Sequence, residues 1–174
     1  MCSSDLDFAP VLLATTQAQV MLVHPSVPAR SAQEFIALAR SKPGQFNYAS
    51  PGAGTLSQLA FELFRRTAGL DIAHVPYKGP GPALTALLGA EVQAASSSSI
   101  SVMPHVKSGR LRALAITSPR RSSAAPDIPT MTEQGLPGAT IVGWYGFLAP
   151  ARTPEALVNR LNADIARQLR APEV

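Results

Sequence analysis

A loop rich in glycine and hydroxyl side chains, Ser50–Thr55, is the part of the sequence best suited to bind a ligand. The apolar residues before it predict a strand and those after it a helix. In an α/β sheet such a loop lies at the edge where ligands bind, and the helix points its free N–H groups there. Gly52 and Gly54 would let the backbone approach a ligand, while Ser50 and Thr55 add hydroxyl groups. The pattern favours a small anion; the alternative is that the two glycines only form a tight connection.

A second segment with ligand-binding character, His74–Gly79, leads from the next predicted strand into a loop at the same edge. Tyr77 could hydrogen-bond a ligand there, and Lys78 would add positive potential. The competing interpretation of Tyr77 is a packed rim residue, the more common role of a tyrosine at a strand end. Ser97 and Ser98 end the following strand, so they either line the same crevice or contact solvent.

A dinucleotide site is the natural rival for the glycine-rich loop, but the match is poor. Ser57 stands where the fingerprint has its third glycine, and Asp71 precedes its strand instead of ending it. Catalytic and metal chemistry find little support, because the chain has no Gly-x-Ser-x-Gly elbow and its three histidines form no His-x-x-x-His or Glu-x-x-His pair. We therefore expect no catalytic residue, no metal and no cofactor.

Charge and composition exclude several classes of protein. The net charge is +4, from 15 Lys and Arg against 11 Asp and Glu, and the scattered basic residues do not favour nucleic acid as a partner. No apolar run approaches the ~20 residues of a membrane-spanning helix, so we expect no membrane insertion. The one cysteine, Cys2, lies in residues 1–6, which we interpret as non-native because Cys2–Leu6 resembles a translated sequencing adapter.

Segments of strand and helix character alternate along the chain. Val11–Val23 is predicted as one long strand or two short ones, and Ser31 begins a helix with a capping box because Glu34 can reach the Ser31 amide. The other predicted strands are Phe46–Ala49, Ala73–Tyr77, Val92–Ala95, Leu111–Thr117 and Ile141–Leu148. The other predicted helices begin at Leu56, Pro80, Ile100 and Thr153, with a short one at Thr130–Gln134. This alternation predicts an α/β fold whose largely parallel sheet is covered on both faces.

Six motifs, taken together, resemble the substrate-binding proteins of tripartite tricarboxylate transporters, the Bug-type receptors. The motifs are Phe46–Thr55, His74–Gly79, Gly109–Ala115, Pro126–Thr130, Glu133–Gly135 and Trp144–Gly146. Each is weak alone, but their order and spacing, from about Asp7 to Val174, are specific. The resemblance implies a type II periplasmic binding protein whose two lobes close around an organic acid and deliver it to membrane permease subunits. We accordingly expect a monomer in the periplasm that is not an enzyme, with the signal peptide missing from this piece.

The resemblance also implies where the ligand binds. In the family, one loop from each lobe holds a ligand carboxylate through backbone groups, hydroxyls and bound waters. The second-lobe loop of the family maps onto this chain, and Gln58 in the helix below is its neighbour. With Tyr77 and Ser97 from the edge described above, the expected ligand-binding residues are Ser50, Gly52, Ala53, Gly54, Thr55, Gln58, Tyr77 and Ser97. Ser97 stands where some relatives have an aspartate suited to a ligand ammonium, which favours a dicarboxylate, tricarboxylate or aromatic acid over an amino acid.

The resemblance divides the chain into four parts. After the non-native residues 1–6, residues 7–22 are expected to form a first-lobe and hinge segment, residues 23–141 the second α/β lobe, and residues 142–174 a truncated return to the first lobe. The family's first-lobe loop, which ends in aspartate, has no counterpart here, so we interpret the chain as a fragment. Two other functions stay open: an enzyme that binds a phosphorylated small molecule at the glycine-rich loop, and a ligand-sensing partner of a membrane signalling protein.

Overall fold

The computed structural model describes residues 7–171, so the interpretation of residues 1–6 as non-native lies outside the described residues. The strands are β1 (Phe8–Val23), β2 (Asn47–Ser50), β3 (Ala73–Pro76), β4 (Ala94–Ser98), β5 (Arg112–Ile116) and β6 (Val142–Pro150). The α-helices are α1 (Ala32–Ser41), α2 (Leu56–Ala68), α3 (Pro80–Leu88), α4 (Ser99–Lys107) and α5 (Glu155–Gln168). The described chain forms two compact units, a larger one of residues 18–142 and a smaller one of residues 7–17 with 143–171.

The larger unit is built on a sheet with the strand order β3-β2-β4-β1-β5. β2 is parallel to β3 and to β4, whereas β1 is antiparallel to both of its neighbours, β4 and β5. Four strands therefore share one direction, and β1 runs against them. The predicted α/β fold is confirmed. The expectation of a largely parallel sheet fails at β1, because the direction of a strand depends on where it is inserted, which the alternation of elements does not reveal.

Helices cover both faces of this sheet, because successive side chains of a strand point to opposite faces. On one face, Tyr48 of β2 packs with Phe35 of α1 and Phe61 of α2 in a single buried cluster. On the other face, Leu87 of α3 and Val102 of α4 belong to a second buried cluster. Since Tyr48 is completely buried, the strand that leads into the glycine-rich loop is anchored in the core.

The predicted helix at Thr130–Gln134 is wrong, because this segment forms only a single turn. The Thr130 hydroxyl accepts the Glu133 amide and the Glu133 carboxylate accepts the Thr130 amide, which is the reciprocal capping of a helix start. Gly135 then adopts a φ of +75°, and Pro137 has no N–H with which to continue a helical hydrogen-bond pattern. A short 3-10 helix begins at Pro137 instead.

The predicted capping box of α1 forms with one difference. Ser31 Oγ accepts the Glu34 amide at 3.1 Å, as expected. The Glu34 carboxylate, however, accepts the Arg30 amide at 2.7 Å and not the Ser31 amide. The start of α1 is therefore fixed by two hydrogen bonds, and neither of them involves the glycine-rich loop.

In the smaller unit, β6 pairs with β1, which is one long strand and not two short ones. The Asn162 side-chain amide of α5 donates to the Val11 carbonyl of β1 at 2.6 Å. No residue of α5 is buried, and Leu13, Trp144 and Leu157 are exposed. This unit therefore buries little of its apolar surface.

Candidate ligand-binding site

The glycine-rich loop joins β2 to α2, as predicted, and its backbone requires glycine at two positions. Gly52 has a φ of +139° and Gly54 a φ of +77°, conformations that residues with a side chain rarely adopt. A Cβ at Gly52 would lie 3.7 Å from the Tyr77 carbonyl oxygen, so the backbone conformation, not the space, demands glycine. The Tyr77 amide donates to the Ser50 carbonyl at 2.9 Å, which holds the two predicted ligand loops side by side.

Thr55 and Gln58 support the loop from the first turn of α2. Thr55 is the N-cap, and its Oγ1 accepts the Gln58 amide at 3.3 Å. The same hydroxyl donates to the Gly52 carbonyl at 2.8 Å. The Gln58 side-chain oxygen accepts the Gly54 amide at 3.3 Å, so this residue, predicted as a neighbour of the ligand, lies directly against the loop.

Several amides at the start of α2 stay free for a ligand. Within residues 7–171, the N–H groups of Ala53, Thr55, Leu56 and Ser57 have no hydrogen-bond acceptor. The positive end of the helix dipole lies at the same place. Free amides at a helix start bind carboxylates and phosphates, so the arrangement is suited to a small anion.

Ser50 lies under the loop and not on its surface. Its side chain is completely buried, and its Oγ lies 2.6 Å from Nε2 of His74 on β3. The same oxygen accepts the Gly52 amide at 3.2 Å. Burial lowers the pKa of His74 below that of a free imidazole, which favours the neutral ring. Ser50 thus shapes the loop from within, and its contact with a ligand stays a prediction.

Tyr77 and Ser97 lie near the loop in different ways. Tyr77 is partly buried against the apolar cluster that includes Leu87 of α3, as a packed rim residue would be, and its contact with a ligand stays a prediction. Ser97 ends β4 together with its neighbour and lines a small cavity with Pro51 and Pro80. That cavity has a volume of about 10 Å³, room for one water molecule, and the buried Ser96 hydroxyl in its wall has no partner among residues 7–171.

Two residues that support the site, His74 and Gln19, were not predicted as site residues, although His74 begins the second ligand-binding segment. Gln19 is 2% exposed, and its side-chain oxygen accepts the Ser57 hydroxyl at 2.8 Å. An amide side chain near the end of an apolar strand is the signal that could have identified Gln19. His74 lies opposite Tyr48 in the parallel pair of β2 and β3, so the pairing of these strands is needed to find it.

The structure brings the predicted residues to one edge of the sheet, where β2, β3 and β4 end. They are Ser50, Gly52, Ala53, Gly54, Thr55, Gln58, Tyr77 and Ser97. Across the described range 7–171, no group of three or more His, Cys, Asp or Glu could hold a metal ion. The chemistry of this edge is therefore hydrogen bonding by amides and hydroxyls beside a positive helix end.

Comparison with known proteins decides the family. The family model of the tripartite tricarboxylate transporter family receptor, TctC, matches residues 3–174. This chain belongs to that family. The assignment made from the six sequence motifs is confirmed, and the chain is called the receptor below.

Two curated relatives show how much of such a protein the receptor covers. It is 38% identical over 172 residues to a UPF0065 protein in the tcbD-tcbE intergenic region of a Pseudomonas strain, covering 98% of this chain and 51% of that protein. It is 35% identical over 168 residues to protein BugT of Bordetella pertussis, covering 97% of this chain and 52% of that protein. The chain thus spans about half the length of the curated relatives it matches.

Solved structures confirm the periplasmic-binding-protein fold. A periplasmic transporter structure matches with a TM-score of 0.86 at 37% identity, over 97% of this chain and 56% of that chain. Rpa4515 of R. palustris with adipate matches with a TM-score of 0.85 at 31% identity, over 97% and 56% of the two chains. MatC of Rhodopseudomonas palustris with bound malate matches with a TM-score of 0.82 at 33% identity, over 95% and 56%.

Proposed function

We propose that the receptor captures a small organic carboxylate, namely a dicarboxylate, a tricarboxylate or an aromatic acid. The observation that carries the proposal is the start of α2, where the free amides of Ala53, Thr55 and Leu56 meet the positive end of the helix dipole. Adipate in one structural neighbour and malate in another support this ligand class. The uncharged Ser97 at the end of β4 offers no carboxylate for a ligand ammonium, which favours an acid over an amino acid.

The second part of the proposal concerns transport. The receptor would bind its acid in the periplasm and pass it to the membrane permease subunits of a tripartite tricarboxylate transporter, a role that its family membership supports. None of the helices within residues 7–171 has the length and apolarity needed to cross a membrane. Capture and release need no bond to be made or broken in the ligand, so this function calls on no catalytic residue or cofactor.

Thermal denaturation with paired ligands tests the ligand class. Malate and adipate are each compared with their neutral diamides, malamide and adipamide, which keep the carbon skeleton and remove both charges. A bound acid present at a hundred times its Kd stabilises the folded state by about 2.7 kcal/mol, while its diamide should leave the unfolding temperature unchanged. The proposal fails if no acid in a broad carboxylate panel raises that temperature, or if the diamides raise it equally.

Amide chemical shifts locate the binding. A bound acid should shift the amide resonances of Ala53, Thr55 and Leu56, because those groups donate to its carboxylate. The first turn of α1, which follows the Ser31 cap, is the matched control: it is also a helix start, but it lies outside the proposed site. Equal shifts at both helix starts would indicate unspecific anion binding and would count against the proposal.

A further inference from the structure

A continuous row of side-chain contacts runs under the glycine-rich loop, and the proposed function makes no use of it. Arg65 pairs with Glu62 on α2 at 2.7 Å, and the Tyr48 hydroxyl donates to the same carboxylate at 2.7 Å. The Tyr48 ring stacks on the His74 ring with a centroid distance of 4.8 Å. His74 Nε2 then lies 2.6 Å from Ser50 Oγ. The core of the larger unit is thereby connected to the first residue of the loop.

We propose that His74 is the positioning residue of the carboxylate-binding loop. Its ring holds the Ser50 hydroxyl, and this hydroxyl in turn fixes the Gly52 amide at the turn that precedes α2. The proposal rests on the proposed function for the nature of the ligand, whereas the positioning itself is a property of the ligand-free receptor. His74 acts through Ser50 and touches no ligand.

Counting protons shows why a neutral His74 suits this loop. A hydroxyl has one hydrogen to donate, and Ser50 can donate it to Nε2 of a neutral imidazole that carries its own hydrogen on Nδ1, while the Ser50 oxygen accepts the Gly52 amide. The Gly52 carbonyl is then left to the Thr55 hydroxyl, 2.8 Å away. If His74 were protonated, Nε2 would become a donor, and the Ser50 hydrogen would turn to the Gly52 carbonyl at 3.3 Å, which it would share with the Thr55 hydroxyl. Protonation of His74 therefore reverses its hydrogen bond to Ser50 and adds a second, longer hydrogen bond to the Gly52 carbonyl, which changes the surroundings of the loop backbone.

The groups that face the His74 ring do not overcome the effect of its burial, which favours the neutral imidazole. They are Tyr48 from β2 and, from α2, Glu62 with its partners Arg65 and Arg66. Burial lowers the pKa of His74, and the Glu62 carboxylate opposes this effect. Burial also raises the pKa of Tyr48, so its phenol stays protonated and donates to Glu62. Because Glu62 is already paired with two arginines, its pull on a His74 proton is weakened.

A serine 2.6 Å from a histidine also invites a catalytic interpretation, which the burial of Ser50 opposes. A nucleophilic serine must be reached by its substrate, and the Ser50 side chain is completely buried. Its oxygen already accepts the Gly52 amide in addition to its contact with His74. The pair therefore organises the loop and does not present a nucleophile.

The test is NMR and amide hydrogen exchange on the ligand-free receptor with two variants. His74→Phe keeps a ring that can stack on Tyr48 but removes the hydrogen bond; His74→Gln keeps a donor and an acceptor but cannot titrate. We expect the Gly52 amide to exchange about fivefold faster in H74F, the ratio that the loss of one neutral hydrogen bond produces, and within about twofold of the wild type in H74Q. In the wild type, the Gly52 amide resonance should move with pH around a midpoint below 6.5, and in H74Q it should not move.

Unchanged Gly52 exchange in folded H74F, or a pH-dependent shift that survives in H74Q, overturns the proposal. If H74F does not fold, Ser50→Ala tests the same hydrogen bond. This variant removes the hydroxyl that donates to the neutral His74 ring, so the titration midpoint of His74 should rise. An unchanged midpoint overturns the proposal. Malate and adipate are titrated separately. If neither acid binds while Gly52 behaves as expected, the proposed function fails and the role of His74 stands.

Discussion

Replacing the N-cap of α2, Thr55→Ala, should destabilise the receptor more than an ordinary loss of a helix cap. The Thr55 hydroxyl makes two hydrogen bonds, accepting the Gln58 amide at 3.3 Å and donating to the Gly52 carbonyl at 2.8 Å. The first bond caps the helix, and the second ties the helix to the loop. Alanine removes both bonds and leaves a half-buried carbonyl without its donor.

The magnitude follows from the two bonds. Loss of a threonine cap costs about 1 kcal/mol, and loss of one neutral hydrogen bond costs about 1 kcal/mol more. The expected decrease in the free energy of unfolding is therefore about 2 kcal/mol, which lowers the unfolding temperature of a domain of this size by about 4–8 °C. Ser31→Ala is the matched control, since the Ser31 hydroxyl accepts the Glu34 amide at 3.1 Å and makes no bond to the loop. Its expected cost is about 1 kcal/mol.

Urea denaturation followed by far-ultraviolet circular dichroism measures both variants. Equal slopes against urea concentration would show that the same folded state is being compared. If T55A and S31A lose the same free energy, the bond from Thr55 to the Gly52 carbonyl contributes nothing and the reasoning is refuted. The two variants should also differ in function, because only T55A disturbs the amides proposed to bind the ligand. Weaker carboxylate binding in S31A would contradict that assignment.

Three further predictions use matched positions elsewhere in the receptor. Gly54→Ala should lower the free energy of unfolding by about 1–2 kcal/mol, because the backbone φ at this position is +77°. Gly81→Ala within α3 should be neutral or stabilise the protein by up to about 1 kcal/mol. Equal effects in thermal denaturation would contradict the argument from backbone conformation. Tyr48→Phe removes a partly buried hydrogen bond to a carboxylate and should cost about 1.5–3 kcal/mol. Tyr145→Phe, at an exposed tyrosine bonded to an amide oxygen, should cost less than about 0.5 kcal/mol, and reversed costs would show that burial does not matter here. Because burial lowers the pKa of His74, the unfolded state binds more protons than the folded state below pH 6.5. The contribution of His74 to the free energy of unfolding is therefore complete above that pH and is lost as the pH falls through the lower pKa of the folded state. Urea titrations at several pH values should show this loss, and His74→Gln should lack it.

Local sequence signals were enough for most of the helices and strands and for the position of the loop. Glycines with neighbouring hydroxyl residues between an apolar strand and an amphipathic helix predicted the β2–α2 connection, and the structure shows that Gly52 and Gly54 adopt conformations that need glycine. The turn at Thr130 was harder to predict from the sequence. Its capping signals are those of a real helix start, and the helix fails only because Gly135 and Pro137 follow within one turn.

The sequence allows us to infer which face of the sheet the Ser50 side chain lies on, but not which residue it contacts. Side chains two residues apart on a strand share a face, so a buried aromatic at Tyr48 places Ser50 on the same core-facing side. The partner, His74, lies 24 residues further along the chain and meets Ser50 only because β2 and β3 pair in parallel register. Gln19 of β1 reaches Ser57 of α2 across 38 residues, which requires the helix to lie beside that strand. Contacts of these two kinds depend on strand pairing and on helix packing, which periodicity within a single segment does not specify.

Titration of the receptor with malate and adipate, followed by the amide resonances at the start of α2, tests most directly whether this loop holds the ligand. We expect saturable binding in which the shifts concentrate at Ala53, Thr55 and Leu56, with no response to the matching diamides. Binding that leaves these amides unchanged, or the absence of binding by any carboxylate in a broad panel, would contradict the claim that this loop holds a small organic acid.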